Sequence, residues 1–229
     1  LAFFIFIKTI IIFLMTISIA VASTLSPKEV DVLAPGWNDN LDYDIPKPGT
    51  YKLNPIHNAY DGIVIDDNGV NSTLFDQMDG KITLLSFIYS TCSDINGCPL
   101  SMAVFYKIQD KLKKNKKLRN KVRLISLSFD PEIDTPEVMK LYGKNLKSDD
   151  LDWSFLTTKS YRELNPIIEA YSQPVIRKYD DSGNYKGVDS HILRVFLIDS
   201  NKVVRNIYSV SFLHSKLLIN DIINLSLEK

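Results

Sequence analysis

Short hydrophobic runs alternate along most of the chain with stretches of helical hydrophobic spacing. Two runs are too apolar to be half-exposed and predict buried strands at 81–89 and 122–129, and a third strand is predicted at 153–157. Turn residues between apolar segments predict two hairpins, one at 63–74 and one at 194–209. The pattern therefore indicates a sheet with buried central strands and hairpins beside them.

Segments with helical spacing separate these strands. Pro99 suits a first helical turn, and the apolar stripe after it predicts a helix to about Leu118. Further helices are predicted from about Pro136, from Asn165-Pro166 to about Ser172, and in the leucine-rich C-terminal segment. Because strands alternate with helices, we predict an α/β fold with a central mixed sheet, helices on both faces and an N-terminal hairpin. Ligands in such folds bind beyond the carboxyl ends of the strands.

The first 22 residues form a distinct apolar segment in which Lys8 is the only charged residue. The segment ends in Ala20-Val21-Ala22, a small-residue pattern typical of a signal-peptidase site. Its length and composition fit either a cleaved signal peptide or a retained membrane anchor. Residues 23–60, rich in Pro, Asp and Asn, predict an extended arm, and residues 61–229 form the predicted domain. We therefore expect an exported protein, in the periplasm or at the periplasmic face of the inner membrane.

Composition and charge exclude several classes of protein. The 229 residues carry 27 basic and 27 acidic side chains, and this balance removes the bulk electrostatic case for nucleic-acid binding. Two cysteines are too few for a disulfide-dense scaffold or a four-thiolate zinc site. One basic run extends from Lys107 to Arg123. It is either a solvated helix end or a docking surface for an acidic partner or an anionic membrane.

Both cysteines lie in one loop between a predicted strand and a predicted helix. Cys92 follows the strand, and Cys98 lies at the helix N-terminus, where the helix dipole favours a thiolate. Two neighbouring thiolates can cycle between dithiol and disulfide, or they can bind a soft metal such as Cu(I). The plainer alternative is a passive structural disulfide, although so short a loop gains little stability from closure. The placement is typical of thioredoxin-like chemistry.

Several motifs, in matching order, resemble the Sco/SenC family of thioredoxin-like copper proteins. The resemblance rests on LLSFIYSTC…CPL, ISLSFDPEIDTPEVMKLY, WSFLT, and VDSH followed by VFLID. It extends from about Pro48 to the C-terminus. It implies a thioredoxin-like three-layer fold and a copper site in which Cys92, Cys98 and His191 are the ligands.

The cysteine spacing departs from the pattern of that family. Five residues separate Cys92 from Cys98, more than is usual, and Ser93 stands where the family usually has proline. A turn at Asn96-Gly97 would let the longer loop keep both sulfur atoms close together. Copper affinity and redox potential are the properties that this departure would change.

Four other side chains are weaker candidates for the site. Met102 lies one helical turn after Cys98 and has a soft thioether, but core packing explains it more simply. Asp130, at the carboxyl end of its strand, could contact the site from outside the ligand set. His57 and His214 match no family motif and are expected to be structural or exposed, with His214 near a solvated face of the last helix.

The resemblance implies an extracytoplasmic copper chaperone that passes copper to a copper enzyme. The implied acceptor is the binuclear copper site of cytochrome c oxidase, reached through shared thiolate intermediates. The alternative is an enzyme, a thiol–disulfide oxidoreductase in which Cys92 and Cys98 form the catalytic pair that reduces the cysteines of that site. A peroxide-reducing relative receives little support from the resemblance. A redox thioredoxin has no use for His191, and it usually carries a proline that residues 182–193 lack, so both observations favour copper.

Overall fold

Residues 40–228 are the part of the chain that the computed structural model describes. The apolar segment 1–22 and the first part of the arm, for which the sequence makes predictions, lie outside these residues. Between residues 40 and 228, no helix is both long enough and apolar enough to cross a membrane.

Ten strands are found in the described residues. They are β1 (His57–Asn58), β2 (Ile63–Asp66), β3 (Asn71–Thr73), β4 (Ile82–Ile88), β5 (Val122–Ser128), β6 (Trp153–Thr157), β7 (Val175–Tyr179), β8 (Tyr185–His191), β9 (Val195–Ile198) and β10 (Val203–Tyr208). Eight of them form one mixed sheet in the order β1-β10-β9-β4-β5-β6-β2-β3. The strands β4, β5 and β6 run parallel, and the other neighbours in the sheet are antiparallel.

The middle of the sheet is the buried core that the apolar runs predict. Every residue of β4 is buried, and β4 pairs with β5 without interruption from Ile82 opposite Val122 to Ile88 opposite Ser128. Strands covered on both faces read as continuous hydrophobic runs, which is why the sequence identifies them. Their carboxyl ends lie side by side at one edge of the sheet, where Ile88 and Ser128 lead into the loops that follow.

Helices connect the strands and confirm the α/β class. They are α1 (Leu74–Met78), α2 (Cys98–Lys113), α3 (Lys116–Arg119), α4 (Pro136–Gly143), α5 (Tyr161–Ala170) and α6 (Ser215–Leu227), with a 3₁₀ turn at Val210–Phe212. The helices α2 and α6 pack against each other, whereas α4 packs on β6 and α5 on β2.

Two of the predicted helices have different bounds in the structure. The segment predicted as one helix to about residue 118 divides into α2 and α3, because the side chain of Asn115 accepts a hydrogen bond from the Leu118 amide and caps a new turn. The helix predicted from Asn165-Pro166 begins at Tyr161, so Pro166 lies inside it. Burial of Leu164, Ile167 and Ile168 stabilises the helix by more than the loss of the hydrogen bond that the proline cannot make.

The predicted N-terminal hairpin is present but shorter than expected. Its second strand, β3, ends at Thr73, which forms a capping box with Asp76 and begins α1. Leu74 therefore starts a helix and does not end a strand.

One hairpin of the structure has no counterpart among the predicted elements. Within residues 40–228, the strands β7 and β8 pair only with each other and form a separate two-stranded sheet. His191 is the last residue of β8 and lies opposite Val175, the first residue of β7. This hairpin therefore positions one of the three predicted ligands.

The described part of the arm lies along α6. Residues 40–56 contain no helix or strand, but the Tyr51 hydroxyl donates to Asp221 at 2.6 Å and the Gly49 amide donates to Asn224 at 2.7 Å. The amide group of Asn220 donates to the Pro46 carbonyl at 3.0 Å. Side chains of α6 thus provide hydrogen bonds that the extended backbone of the arm cannot make with itself.

Candidate metal centre

The cysteine loop connects the carboxyl end of β4 to the first residue of α2. Asp94 organises it, because its carbonyl accepts from the Gly97 amide at 2.9 Å and its carboxylate accepts from the Asn96 amide at 3.0 Å. These bonds define a turn from Asp94 to Gly97 that reverses the chain between the two cysteines. The longer loop therefore bulges outward and brings Cys98 back beside Cys92, as the turn predicted at Asn96-Gly97 allows.

The three predicted ligands meet at this edge of the sheet. The Nε2 atom of His191 lies 3.9 Å from the sulfur of Cys92 and 3.7 Å from the sulfur of Cys98. One ligand atom from each of the three residues lies within 4.8 Å of the other two. Both cysteines are free thiols, Cys92 partly exposed and Cys98 fully buried. Zinc sites have metal–sulfur distances of about 2.3 Å and metal–nitrogen distances of about 2.0 Å, so an ion of that size could contact all three atoms.

Two aromatic rings hold the imidazole of His191 in place. Tyr89, directly after β4, meets it edge-on with 5.4 Å between ring centroids, and Phe129, directly after β5, lies at 5.0 Å. The ring thus packs against residues from both central strands, although His191 belongs to the separate β7–β8 sheet. Its Nδ1 atom is buried and has no hydrogen-bond partner among residues 40–228, so ring packing is what orients the Nε2 atom toward the sulfurs.

The two thiols have opposite pKa shifts. A hydrogen bond from the thiol of Cys98 stabilises a thiolate at Cys92 and lowers the pKa of Cys92, whereas the same bond and burial raise the pKa of Cys98. The sequence predicts the thiolate at Cys98 from the helix dipole, whereas burial of Cys98 favours the thiolate at Cys92. Complete burial of Cys98 penalises its charged form, while Cys92 keeps contact with solvent.

A buried carboxyl group anchors the beginning of the cysteine loop. Asp134 accepts hydrogen bonds from the amide and hydroxyl of Ser90 and from the hydroxyl of Ser128, so it joins the carboxyl ends of β4 and β5. Burial raises the pKa of Asp134, and the bonds from the two serines oppose that rise. Thr135, the next residue, caps α4 by accepting from the Val138 amide. Sequence reasoning missed this role of Asp134.

The weaker candidates take positions around the site or away from it. Met102 is buried, and its sulfur accepts from the Ser126 hydroxyl at 3.6 Å, in agreement with core packing. Asp130 is buried and accepts from the Tyr161 hydroxyl at 2.9 Å. His57 is exposed, as expected. His214 is buried and its Nε2 lies 3.2 Å from the Ser211 carbonyl, so the prediction of a solvated face is wrong. The residue is the N-cap of α6, and its carbonyl accepts from the Leu218 amide at 3.1 Å.

The mixed sheet and the strand–loop–helix cysteine pair define a thioredoxin-like protein, and the imidazole beside both sulfurs adds a candidate metal centre. Residues 54–225 match the SCO1/SenC family. The chain therefore belongs to the SCO1/SenC family, as its motifs predict.

Individual relatives agree with this assignment. The chain is 31% identical over 113 residues to the SCO1 protein homolog of Bacillus subtilis, a match that covers 49% of this chain and about half, 55%, of that relative. The solved structure of Arabidopsis thaliana ScoI with copper bound is similar in fold, with a TM-score of 0.60 and 24% identity over 73% of this chain and 97% of that one. BsSco, described as a member of the Sco family of cytochrome c oxidase assembly proteins with a disulfide switch, has a TM-score of 0.55 and 26% identity, covering 82% of this chain and 100% of that one.

Proposed function

We propose that this protein is an extracytoplasmic copper chaperone that binds copper through Cys92, Cys98 and His191 and passes it to the copper site of cytochrome c oxidase. The observation that carries the proposal is the approach of His191 Nε2 to both sulfur atoms, at 3.7 and 3.9 Å. Membership of the SCO1/SenC family and the assembly role stated for BsSco support the choice of acceptor.

The donor set matches the chemistry of copper in both oxidation states. Thiolates are soft ligands that select Cu(I), and an imidazole suits Cu(II) as well. Two sulfurs and one nitrogen therefore provide a pair for Cu(I) and a third ligand that strengthens the site for Cu(II). Both thiols have to lose their protons when a metal binds, and the thiolate already favoured at Cys92 makes that sulfur the first available ligand.

Unequal exposure of the two sulfurs supports transfer to another protein. Cys92 is partly exposed, whereas Cys98 is buried at the start of α2. An incoming ligand of an acceptor can reach a metal ion from the side of Cys92 while Cys98 still holds it. Copper would then move by exchange of thiolate ligands, without release into solvent.

Export of the chain is part of this proposal. The apolar segment 1–22 and its Ala20-Val21-Ala22 ending support a signal peptide or an anchor, and a periplasmic location would place the site where copper enzymes of the membrane acquire their metal. Whether the segment is removed is decided by the N-terminal sequence of the mature protein.

A thiol–disulfide oxidoreductase is the second candidate, and the cysteine pair itself favours it. A thiolate at Cys92 beside a second thiol is the arrangement that attacks a disulfide and then resolves the mixed intermediate. That chemistry needs no third ligand, however, and the packing of His191 against Tyr89 and Phe129 would have no purpose in it.

Copper titration of the reduced protein separates the two candidates. We expect one copper ion per chain, with thiolate-to-copper charge-transfer absorption for Cu(II). His191→Ala should weaken binding of Cu(II) more than binding of Cu(I), because the two thiolates remain. His57→Ala is the matched control, since His57 is exposed and outside the site, and it should bind like the wild type. A wild-type protein that binds no copper tightly but catalytically reduces a partner disulfide would refute the chaperone proposal.

A further inference from the structure

Two exposed isoleucines border the candidate metal centre. Ile95 is 51% exposed and lies in the turn between the two cysteines, three residues from each of them. Ile192 is 45% exposed and directly follows His191. Each of the three ligands therefore lies within three residues of a large apolar side chain that faces solvent. An exposed apolar patch at a functional site is typical of a surface that another molecule covers.

The backbone keeps Ile95 exposed. The hydrogen bonds from the Asn96 and Gly97 amides to Asp94 fix the turn, and Ile95 occupies its second position, on the outside of the bend. The extra length of the cysteine loop is thus the feature that presents this side chain. Ile192 follows the end of β8, and the next residue, Leu193, is buried, so the chain turns into the core immediately after the exposed group.

The chain segment that contains both cysteines carries little charge. From Ile82 to Tyr106, Asp94 is the only charged residue, and it is exposed. A partner that contacts this surface has to offer apolar side chains to Ile95 and Ile192, and a basic residue could pair with Asp94.

Direct ligand exchange requires such a contact. An acceptor ligand must come within bonding distance of the copper ion from the side of Cys92 while Cys98 still holds it, so the acceptor surface has to cover the residues that surround Cys92. We propose that Ile95 and Ile192 form the docking surface for the copper acceptor, a protein with an apolar patch beside its own metal ligands. This inference rests on the proposed chaperone function and adds the residues that recognise the partner.

The basic cluster is the competing surface. This cluster is the basic run from Lys107 to Arg123. Five of its lysines form no ion pair among residues 40–228, which fits either solvation or docking to an anion: Lys113, Lys114, Lys116, Lys117 and Lys121. The Lys121 carbonyl accepts from the amide of Ile82, however, at the first residue of β4, whereas the cysteine loop follows its last residue. Seven residues of strand separate the two ends by about 20 Å, too far for one small contact to include both.

The test measures copper transfer to a soluble, metal-free copper-binding domain of a cytochrome c oxidase subunit. The double variant Ile95→Ser/Ile192→Ser should transfer Cu(I) about tenfold more slowly than the wild type, because apolar area is lost from the contact. Its Cu(I) affinity and its rate of copper loss to the small chelator bicinchoninate should stay unchanged. Ile56→Ser is the matched control. Ile56 is 52% exposed, and its amide donates to the Val204 carbonyl in β10. Through β9, Val204 lies level with Thr83 near the start of β4, at the opposite end of that strand from the cysteine loop.

The outcomes separate this inference from the proposed function. A double variant that transfers copper to the domain at the wild-type rate would overturn the docking surface alone. The docking surface is also overturned if Ile56→Ser slows transfer equally, or if loss to bicinchoninate slows by the same factor. A wild-type protein that binds copper but passes none to the domain would overturn the proposed function, and the docking surface with it.

Discussion

At the scale of single residues, Gly97 shows how closely the backbone approaches the candidate ligands. A Cβ atom at this position would lie 3.2 Å from the Cys92 sulfur and 3.2 Å from the Asp94 carbonyl oxygen. Both contacts are tighter than ordinary van der Waals separation. The absence of a side chain therefore lets the turn close over Cys92 and keeps its sulfur beside Cys98.

Gly97→Ala tests this close approach. The added methyl group should displace the Cys92 sulfur by a few tenths of an ångström, because a side chain yields more easily than the backbone of the turn. We expect Cu(I) affinity, measured by competition with a chelator, to fall by about tenfold, while the unfolding midpoint in urea changes little. Ser93→Ala, an exposed change in the same loop, should preserve both values. An unchanged affinity in Gly97→Ala would mean that the sulfur has room to move.

The three residues of the candidate metal centre could be predicted from sequence, but the burial that governs their ionisation could not. Cysteine and histidine are recognisable by residue type and by the motifs around Cys92, Cys98 and His191. Which thiol has the lowered pKa depends on burial, and Cys98 is buried by packing of α2 against distant parts of the chain. A local rule about helix N-termini contains no information on that packing, so it cannot account for the burial of Cys98.

At the scale of elements, Asp134 connects the parallel strands that lead into the site. Its carboxyl group binds Ser90 after β4 and Ser128 at the end of β5, and α4 starts two residues later. The cysteine loop thus begins from a fixed point that three elements share. Loss of one acceptor would leave a buried hydroxyl or amide without a partner.

Asp134→Asn should lower the free energy of unfolding by about 1–3 kcal/mol at acidic pH. Both carboxyl oxygens of Asp134 can accept a hydrogen bond, whereas the amide nitrogen of asparagine can only donate one. Burial raises the pKa of Asp134, so the folded state holds the proton more tightly than the unfolded state does. The stability that this contributes is complete below the unfolded pKa and is lost as pH rises through the folded pKa.

Urea unfolding at a series of pH values checks this expectation. The stability advantage of the wild type over Asp134→Asn should be largest at low pH and should shrink as pH rises. Asp181→Asn, which removes an exposed carboxyl from the turn between β7 and β8, controls for the loss of one charge. An advantage that grows with pH would show that the pKa of Asp134 is lowered in the folded protein.

The buried elements were predictable and the peripheral ones were not. The strands β4 and β5 appear in the sequence as predominantly apolar runs, since both of their faces are covered. Among the described residues of β7 and β8 only Gly187 is buried, and the two strands pair with no other described strand, so their sequence lacks the apolar run that identifies a buried strand. It nevertheless carries His191, so part of the site depends on an element without a strong local signal.

At the scale of the whole molecule, Asp221 connects three distant parts of the chain. This buried carboxylate of α6 accepts from the hydroxyls of Tyr51 in the arm and Tyr208 in β10, both at 2.6 Å, and from the amide of Asn206 at 3.0 Å. The arm, the end of the sheet and the last helix therefore share one acceptor. The cluster lies beside β10 and α6, and none of its members is a candidate ligand.

Tyr51→Phe should weaken this connection without affecting the metal centre. Removal of the hydroxyl leaves Asp221 with two donors, and we expect the free energy of unfolding to fall by about 1 kcal/mol. Copper affinity should remain that of the wild type. Tyr43→Phe is the control, because the Tyr43 ring is 43% exposed. If both variants unfold at the wild-type midpoint, the arm does not contribute to stability through this hydroxyl.

The sequence distance between the candidate ligands has a consequence for folding. His191 lies 99 residues from Cys92, on a sheet separate from the one that carries the cysteine loop. An unfolded chain keeps its two thiols within one short segment, but the imidazole returns to them only when the loop between residues 92 and 191 has closed, at the entropic cost of closing a long loop. Cu(I) needs only the two thiolates, so it would bind before the fold is complete and would have similar affinities for folded and unfolded chains. Cu(II), which draws on the imidazole as well, would stabilise the completed fold.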